Sequence, residues 1–439
     1  MKFTLYNARL IDPASETDIH GGITVEDGII QDVGPHLATL PGAMSSDIDC
    51  NGHVVAPGLI DLRVKTGEPG SEHRETLQSA SQSAVAGGIT SMVVMPETDP
   101  VIDTPALVDY LRRAGQSSEI LNHIYPAGAI SVGLKGESMS EIGLMKKAGA
   151  ILFSNVDQPL PSTGMLRKVM QYAKGMGVVL MLRPDEPSLA SGVMNAGAFA
   201  SRLGLSGMAP HAEWMGLQRD LILAEMTGAN VIVDQISTAR SLQIIENARK
   251  RRVNCAVSVA AHHLIFNELD IGDGSQDPRK AYLTYCKVNP PFRAEDDRLA
   301  MIEGIRSGQI DCVTSAHDPQ PPEEKRLPFE EASFGAAGLE TLLSALTSVV
   351  AEPEYELSLM DALRTVTIAP AELLGLPQGR LETGRPADIV RFNPDTPWKC
   401  TRDHLRSRSR NSPFDGRLMT GQVQQTFVSG QCVFDRLKA

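Results

Sequence analysis

Arg63 and Lys65 stand two residues apart at the end of an apolar, β-branched run, residues 54–62, broken once by Pro57-Gly58. The run reads as a buried strand whose last residues emerge into a loop. Side chains two apart in an extended chain point the same way, so two cations share one place. A third, Arg183, follows another apolar run at 178–182. Acids follow such runs too: Glu97 and the Asp185-Glu186 pair. Cations packed this closely repel by several kcal/mol at intermediate dielectric, so they require anions. Two outcomes stay open: an internal salt-bridge cluster that plugs the site, or a pocket that holds a small anion. A zinc site would need three or four lone-pair donors, and guanidinium and ammonium groups have none. The remaining histidines near strand ends are His262, His263 and His317, with Asp318 placed to pair with His317.

These side chains can meet only if distant strand ends converge. From residue 54 to about 381 the texture alternates strand and helix signals. Strand candidates are 89–95, 150–153, 178–182, 231–233, 253–259 and 310–313, and a helix at 75–86 stops at Gly87-Gly88. Repeated β–α units at this length predict an α/β fold, a (β/α)8 TIM barrel, whose chemistry sits in the loops after the strands. Residues 1–54 alternate short β-type runs with turns, and 383–439 repeat that style. The two ends are expected to form one small, discontinuous β-sandwich domain around a barrel domain at 55–382. The Arg406-Ser407-Arg408-Ser409-Arg410 run reads as a solvated loop.

Composition narrows the function. The 439 residues carry a net charge of −12, which argues against nucleic acid and anionic membranes as partners. Six cysteines are scattered with no Cys-x-x-Cys pair, the usage of reduced core thiols in a cytoplasmic protein. The N-terminus lacks an apolar h-region, so no signal peptide is expected, and no apolar run approaches a membrane span.

Longer strings carry a resemblance. The stretch 57–70 is similar to Pro-Gly-[Leu/Phe]-[Ile/Val]-Asp-x-His-x-His-x-Arg-Glu-Pro-Gly, the opening metal motif of dihydroorotases in the amidohydrolase superfamily. The frame matches at Pro57, Gly58, Asp61, Glu68, Pro69 and Gly70, while Arg63 and Lys65 take the two zinc-binding His positions and Gly67 the Arg position. Met95-Pro96-Glu97-Thr98 resembles the family's Met-Pro-Asn-Thr, with Glu97 at a substrate-holding Asn. Residues 153–157 resemble Phe-Ser-Asp-Asp-Gly, with Asn155 and Val156 at the acidic positions; Lys147 lies too early to be a bridging lysine. Arg183 and Gln235 fall on two further zinc-binding His positions. Anchoring on Pro319 and Glu323-Glu324-Lys325 puts Ala316 at the catalytic Asp and Gln320 at a substrate-contact His. Lys287-Val288-Asn289-Pro290-Pro291-Phe292-Arg293 keeps the family's substrate segment, and 335–341 keeps another string. His73 and His262-His263 match histidines that are not ligands in the family.

The resemblance implies a dihydroorotase-like protein of pyrimidine biosynthesis whose metal ligands are replaced at Arg63, Lys65, Asn155, Arg183, Gln235 and Ala316. No zinc is then expected, and Asn289, Arg293, Glu97 and Gln320 remain as a candidate substrate pocket. It implies a homologue without hydrolase activity, expected to be a homo-oligomer and a structural partner of aspartate carbamoyltransferase. The alternative is an active dihydroorotase or related cyclic amidase using a relocated site of His317, Asp318 and Asp157.

Overall fold

A computed structural model describes residues 2–438 save 41, 43 and 276–279. The chain opens with β1 (Lys2–Asp12), β2 (Thr17–Glu26), β3 (Ile29–Gly34), β4 (Ile48–Asp49) and β5 (Val54–Pro57). There follow β6 (Leu59–Val64), β7 (Ile89–Val94), β8 (His123–Ala129), β9 (Leu152–Ser154) and β10 (Val179–Leu182). A short pair, β11 (Met194–Asn195) and β12 (Gly207–Met208), precedes β13 (Asn230–Val233), β14 (Cys255–Ala260) and β15 (Cys312–Thr314). The last strands are β16 (Ile389–Lys399), β17 (Leu418–Val428) and β18 (Gln431–Asp435).

Eight strands form the barrel in the order β6-β7-β8-β9-β10-β13-β14-β15, each parallel to its neighbour. Every residue of β6, β7 and β14 is buried, as a parallel sheet covered by helices on its outer face requires. The seam closes where Val64 bridges His317 and the Lys65 amide donates to the His317 carbonyl at 2.9 Å. The ring is thus completed at the residue that carries the first ammonium. The helix Leu77–Ala86 is started by Thr76, whose side chain and that of Ser79 cap each other's amides, and Gly87 ends it.

Strands of both termini share one sheet, ordered β18-β17-β16-β5-β1-β2-β3 with β4 beside β1. It curls until Phe3 stacks on Phe427, three strands away, at 5.4 Å between ring centroids. The run 54–62 is therefore not one strand. It divides at Gly58, with β5 in the terminal sheet and β6 in the barrel. A Cβ at Gly58 would lie 2.2 Å from the Thr90 hydroxyl, so only glycine lets the chain pass here.

Two sequence expectations fail. β8 was missed because Pro126 and Gly128 sit inside it, residues that normally demote a strand. The loop 406–410 is solvated only at its arginines, since Ser407 and Ser409 are buried.

Candidate functional site

Arg63 lies within β6 and Lys65 just beyond it, so both project where the strands converge. The Arg63 guanidinium reaches two other strand ends: Nε donates to Asp234 at 2.8 Å, after β13, and Nη2 to Asp157 at 2.7 Å, after β9. The Lys65 ammonium contacts three carboxylates, Asp157 at 2.5 Å, Glu97 at 2.5 Å and Asp318 at 2.9 Å. Asp157 is held by both cations. Arg183, after β10, donates from Nε to Asp185 at 2.7 Å and from Nη2 to the Asn289 side-chain oxygen at 2.8 Å, while its buried Nη1 has no partner.

Burial works to raise Asp157, but the charges of Arg63, Lys65 and Arg183 outweigh it and hold this carboxyl below the usual Asp range. Burial likewise works to lower Arg63 and Lys65, and the surrounding carboxylates overturn it, so both stay protonated. Among the described residues Asp61 forms no ion pair. Burial pushes it up to about 6, despite bonds from the Arg63 and Ser315 amides and the charge of His317. Three cations thus meet five carboxylates, Glu97, Asp157, Asp185, Asp234 and Asp318. The three cations do form a salt-bridge cluster, but it does not fill the mouth, where a cleft remains. The acids differ from expectation: Glu186 stays outside with Arg219 and Ser188, while Asp157, Asp234 and Asp318 join Glu97 and Asp185. Asp157 enters because Val156 adopts a left-handed backbone that turns the next residue back toward the barrel axis.

That conformation recurs. Val156, Gln235 and Ala316 have φ of 53°, 56° and 52°, and each is the second residue beyond its strand, β9, β13 and β15. Such backbone costs about 1–3 kcal/mol per residue and clusters where function once required or still requires it.

A cleft of about 450 Å³ opens above the cluster, lined among others by Lys65, Glu97, Asn289, Asp318 and Gln320. Arg293, predicted to share this pocket, does not line it. Its guanidinium turns inward to Ser237, to the Asn195 side chain and to the Met208 carbonyl, each at 3.0 Å, and so pins the β11–β12 pair. His317 does not pair with Asp318 either. Its Nε2 lies 3.3 Å from Glu75 as an off-angle ion contact, and its Nδ1 accepts from the Gly338 amide. Glu75, fully buried before the helix Leu77–Ala86, was not anticipated from sequence. His262 and His263 pack edge-on against Phe292, and burial drives both toward the neutral form, His263 to about 3.

Residues 52–241 match the dihydro-orotase-like family model, and residues 216–433 match the amidohydrolase family. The dihydroorotase of Citrifermentans bemidjiense is 36% identical over 435 residues, covering 99% of this chain and 100% of that protein. That of Pelotomaculum thermopropionicum is 37% identical over 436 residues, covering 99% and 98%. The chain belongs to the dihydroorotase family. Its amidohydrolase fold superposes on the L-hydantoinase of Arthrobacter aurescens with a TM-score of 0.86 at 25% identity, covering 99% of this chain and 96% of that one. A D-hydantoinase at 19% identity shares the fold, with a TM-score of 0.82.

In this dihydroorotase-family chain the donor set does not fit the zinc its resemblance implies. Arg63 and Lys65, at the positions the resemblance gives to two ligands, have their charges committed to carboxylates. Asn155 faces away, accepting from Ser131 and donating to the Leu134 and Gln158 carbonyls. Gln235 donates to Thr314, and Ala316 contributes a buried methyl. Among the described residues no group of three or more His, Cys, Asp or Glu side chains is placed to hold a metal ion. No helix among the described residues is long and apolar enough to cross a membrane.

Proposed function

We propose that this dihydroorotase-family protein lacks ring-opening activity and serves pyrimidine biosynthesis in the cytoplasm as a homo-oligomeric structural partner of aspartate carbamoyltransferase. One observation carries the reading: side-chain cations at the Arg63 and Lys65 positions, neutralised by carboxylates from four other strand ends. Hydrolysis of a ring amide needs an activated water. A bound divalent metal lowers the pKa of its water to about 7, whereas a positioned base alone supplies about two to four powers of ten. Lys65 and Arg63 cannot act as bases while protonated, and Asp157, held ionised, is shared between them. The relocated trio is not assembled, because His317 faces Glu75 and Asp157 and Asp318 are tied to Lys65. The cluster instead keeps the barrel mouth rigid, which suits a partner that contributes shape.

The full-length relatives named dihydroorotase favour a second reading, hydrolysis of dihydroorotate or a related cyclic amide. The two separate cleanly. The structural reading expects purified protein with no bound zinc, no turnover of dihydroorotate with or without added zinc, and capture of aspartate carbamoyltransferase when the tagged chain is isolated from its own cells. Stoichiometric zinc or metal-dependent turnover would establish the second reading, and loss of the transferase from the captured material would remove the partner role.

A further inference from the structure

A cleft of about 790 Å³ lies away from the barrel mouth, between the helix Leu77–Ala86, strands β16 and β17, and the loop 401–410. Lys399, Arg406, Arg410 and Arg436 line it together with His404 and Trp398. Among the described residues none of those four cations forms an ion pair with a carboxylate. This is unusual in a chain of net charge −12, where acids outnumber bases. Two acids share the cleft, Asp403 and Glu340. Glu340 is occupied at its edge, accepting from the Arg406 amide and from Ser83.

The frame that carries these cations is held in place, though Lys399, Arg406 and Arg410 are exposed. The Ser407 and Ser409 hydroxyls anchor the loop from beneath, on the Glu75 carboxylate and on the Arg74 carbonyl, so the arginines between and beside them face outward. Arg406 and Arg436 both lie over the Phe434 ring, at 5.3 and 5.4 Å, and burial and the Arg406 charge both work to lower the Arg436 pKa. Arg436 is further fixed by Nε donating to the Val423 carbonyl at 2.6 Å. Trp398 is held by its Nε1, which donates to Ser344 and to the Gly421 carbonyl, each at 3.1 Å. Guanidiniums gathered without a carboxylate ion pair lower their energy by taking an anion, and their forked geometry fits phosphate oxygens. An immobilised indole beside them offers a surface for a planar ring.

We propose that this cleft binds a phosphorylated small molecule that carries a planar ring, of the nucleotide class. The volume falls within the usual range for sites of that size, about 300–1,000 Å³. The site is independent of whether the barrel mouth hydrolyses anything, and so is its test.

The test is calorimetric titration of the full chain with ATP, with inorganic pyrophosphate, and with adenosine. Quenching of Trp398 serves as a second readout, in a Trp214→Phe background that removes the other of the two tryptophans. ATP is expected to bind, weakening as salt rises. Pyrophosphate is expected to bind about tenfold more weakly, for want of stacking. Adenosine should show no measurable heat. Arg406→Ala and Arg410→Ala, both exposed positions, should each weaken ATP about tenfold or more while leaving the melting temperature of the unliganded protein in place. Absence of ATP binding at millimolar concentration, or binding unchanged in both variants, would overturn the site. Equal affinity for pyrophosphate and ATP would overturn the ring-bearing ligand.

Discussion

Replacing Lys65 by methionine removes a charge while keeping an unbranched side chain of similar volume. In the folded protein the ammonium is the shared counter-ion of Asp157, Glu97 and Asp318. Without it, Asp157 still has Arg63 at 2.7 Å and Asp318 still has the Gln320 amide at 2.8 Å. Glu97, the most exposed of the three, is free to turn toward water. The loss therefore falls on two half-satisfied carboxylates. Each unscreened pair at about 4 Å amounts to about 4 kcal/mol gross at an effective dielectric near 20. Regained solvation of the removed ammonium offsets part of that. Breaking one partner out of a buried pair costs about 3–5 kcal/mol, and that is the expected destabilisation. Urea unfolding followed by circular dichroism measures it, with Arg74→Ala as control. Arg74, half-buried, makes only a loose contact with Glu324 at 3.7 Å, a pair worth about 0–1 kcal/mol. The loss should shrink at acid pH, where the orphaned carboxylates take up protons. A Lys65→Met chain as stable as the Arg74→Ala control, or more stable than wild type, would show that the cluster does not hold the mouth together.

The Lys65→Met and Asp157→Asn changes should not add, since both break the same contact; a double-mutant cycle should return about 2 kcal/mol of coupling. Ala316→Asp places an acid on a left-handed backbone that aspartate tolerates, but beside an existing excess of carboxylates; it should destabilise by about 1–2 kcal/mol at pH 8, less at pH 5, and elemental analysis should still find no retained zinc. Burial raises Glu340 from 4.5 to about 7, so between those values the folded state holds a proton the unfolded state has lost. Its contribution therefore falls as pH rises through that window, by at most about 3 kcal/mol, and Glu340→Gln should flatten the decline in melting temperature from pH 5 to 8. Asp157 works in the opposite sense. Held below the ordinary Asp value, it contributes stability above pH 4 that is lost as acid protonates the folded state, so Asp157→Asn should show a weaker loss of stability between about pH 4 and 2 than wild type.

Much of this protein is written locally. Alternating strand and helix signals fixed the barrel because each β–α unit buries its own apolar face. The cations Arg63, Lys65 and Arg183 were legible because each stands at the end of an apolar run. What linear sequence does not carry is which charges meet. Asp234 and Asp157 lie 171 and 94 residues beyond Arg63, and only barrel closure brings them to its guanidinium. The same convergence took His317 to Glu75 instead of its neighbour Asp318, and drew Arg293 beneath the β11–β12 pair and out of the cleft. β8 escaped because a proline and a glycine are tolerated when both neighbouring strands are already in place. Residue types therefore set which charges stand at the strand ends. The tertiary structure decided how the remaining charges are neutralised, because electrostatic partners are set by distance in space and not by spacing along the chain.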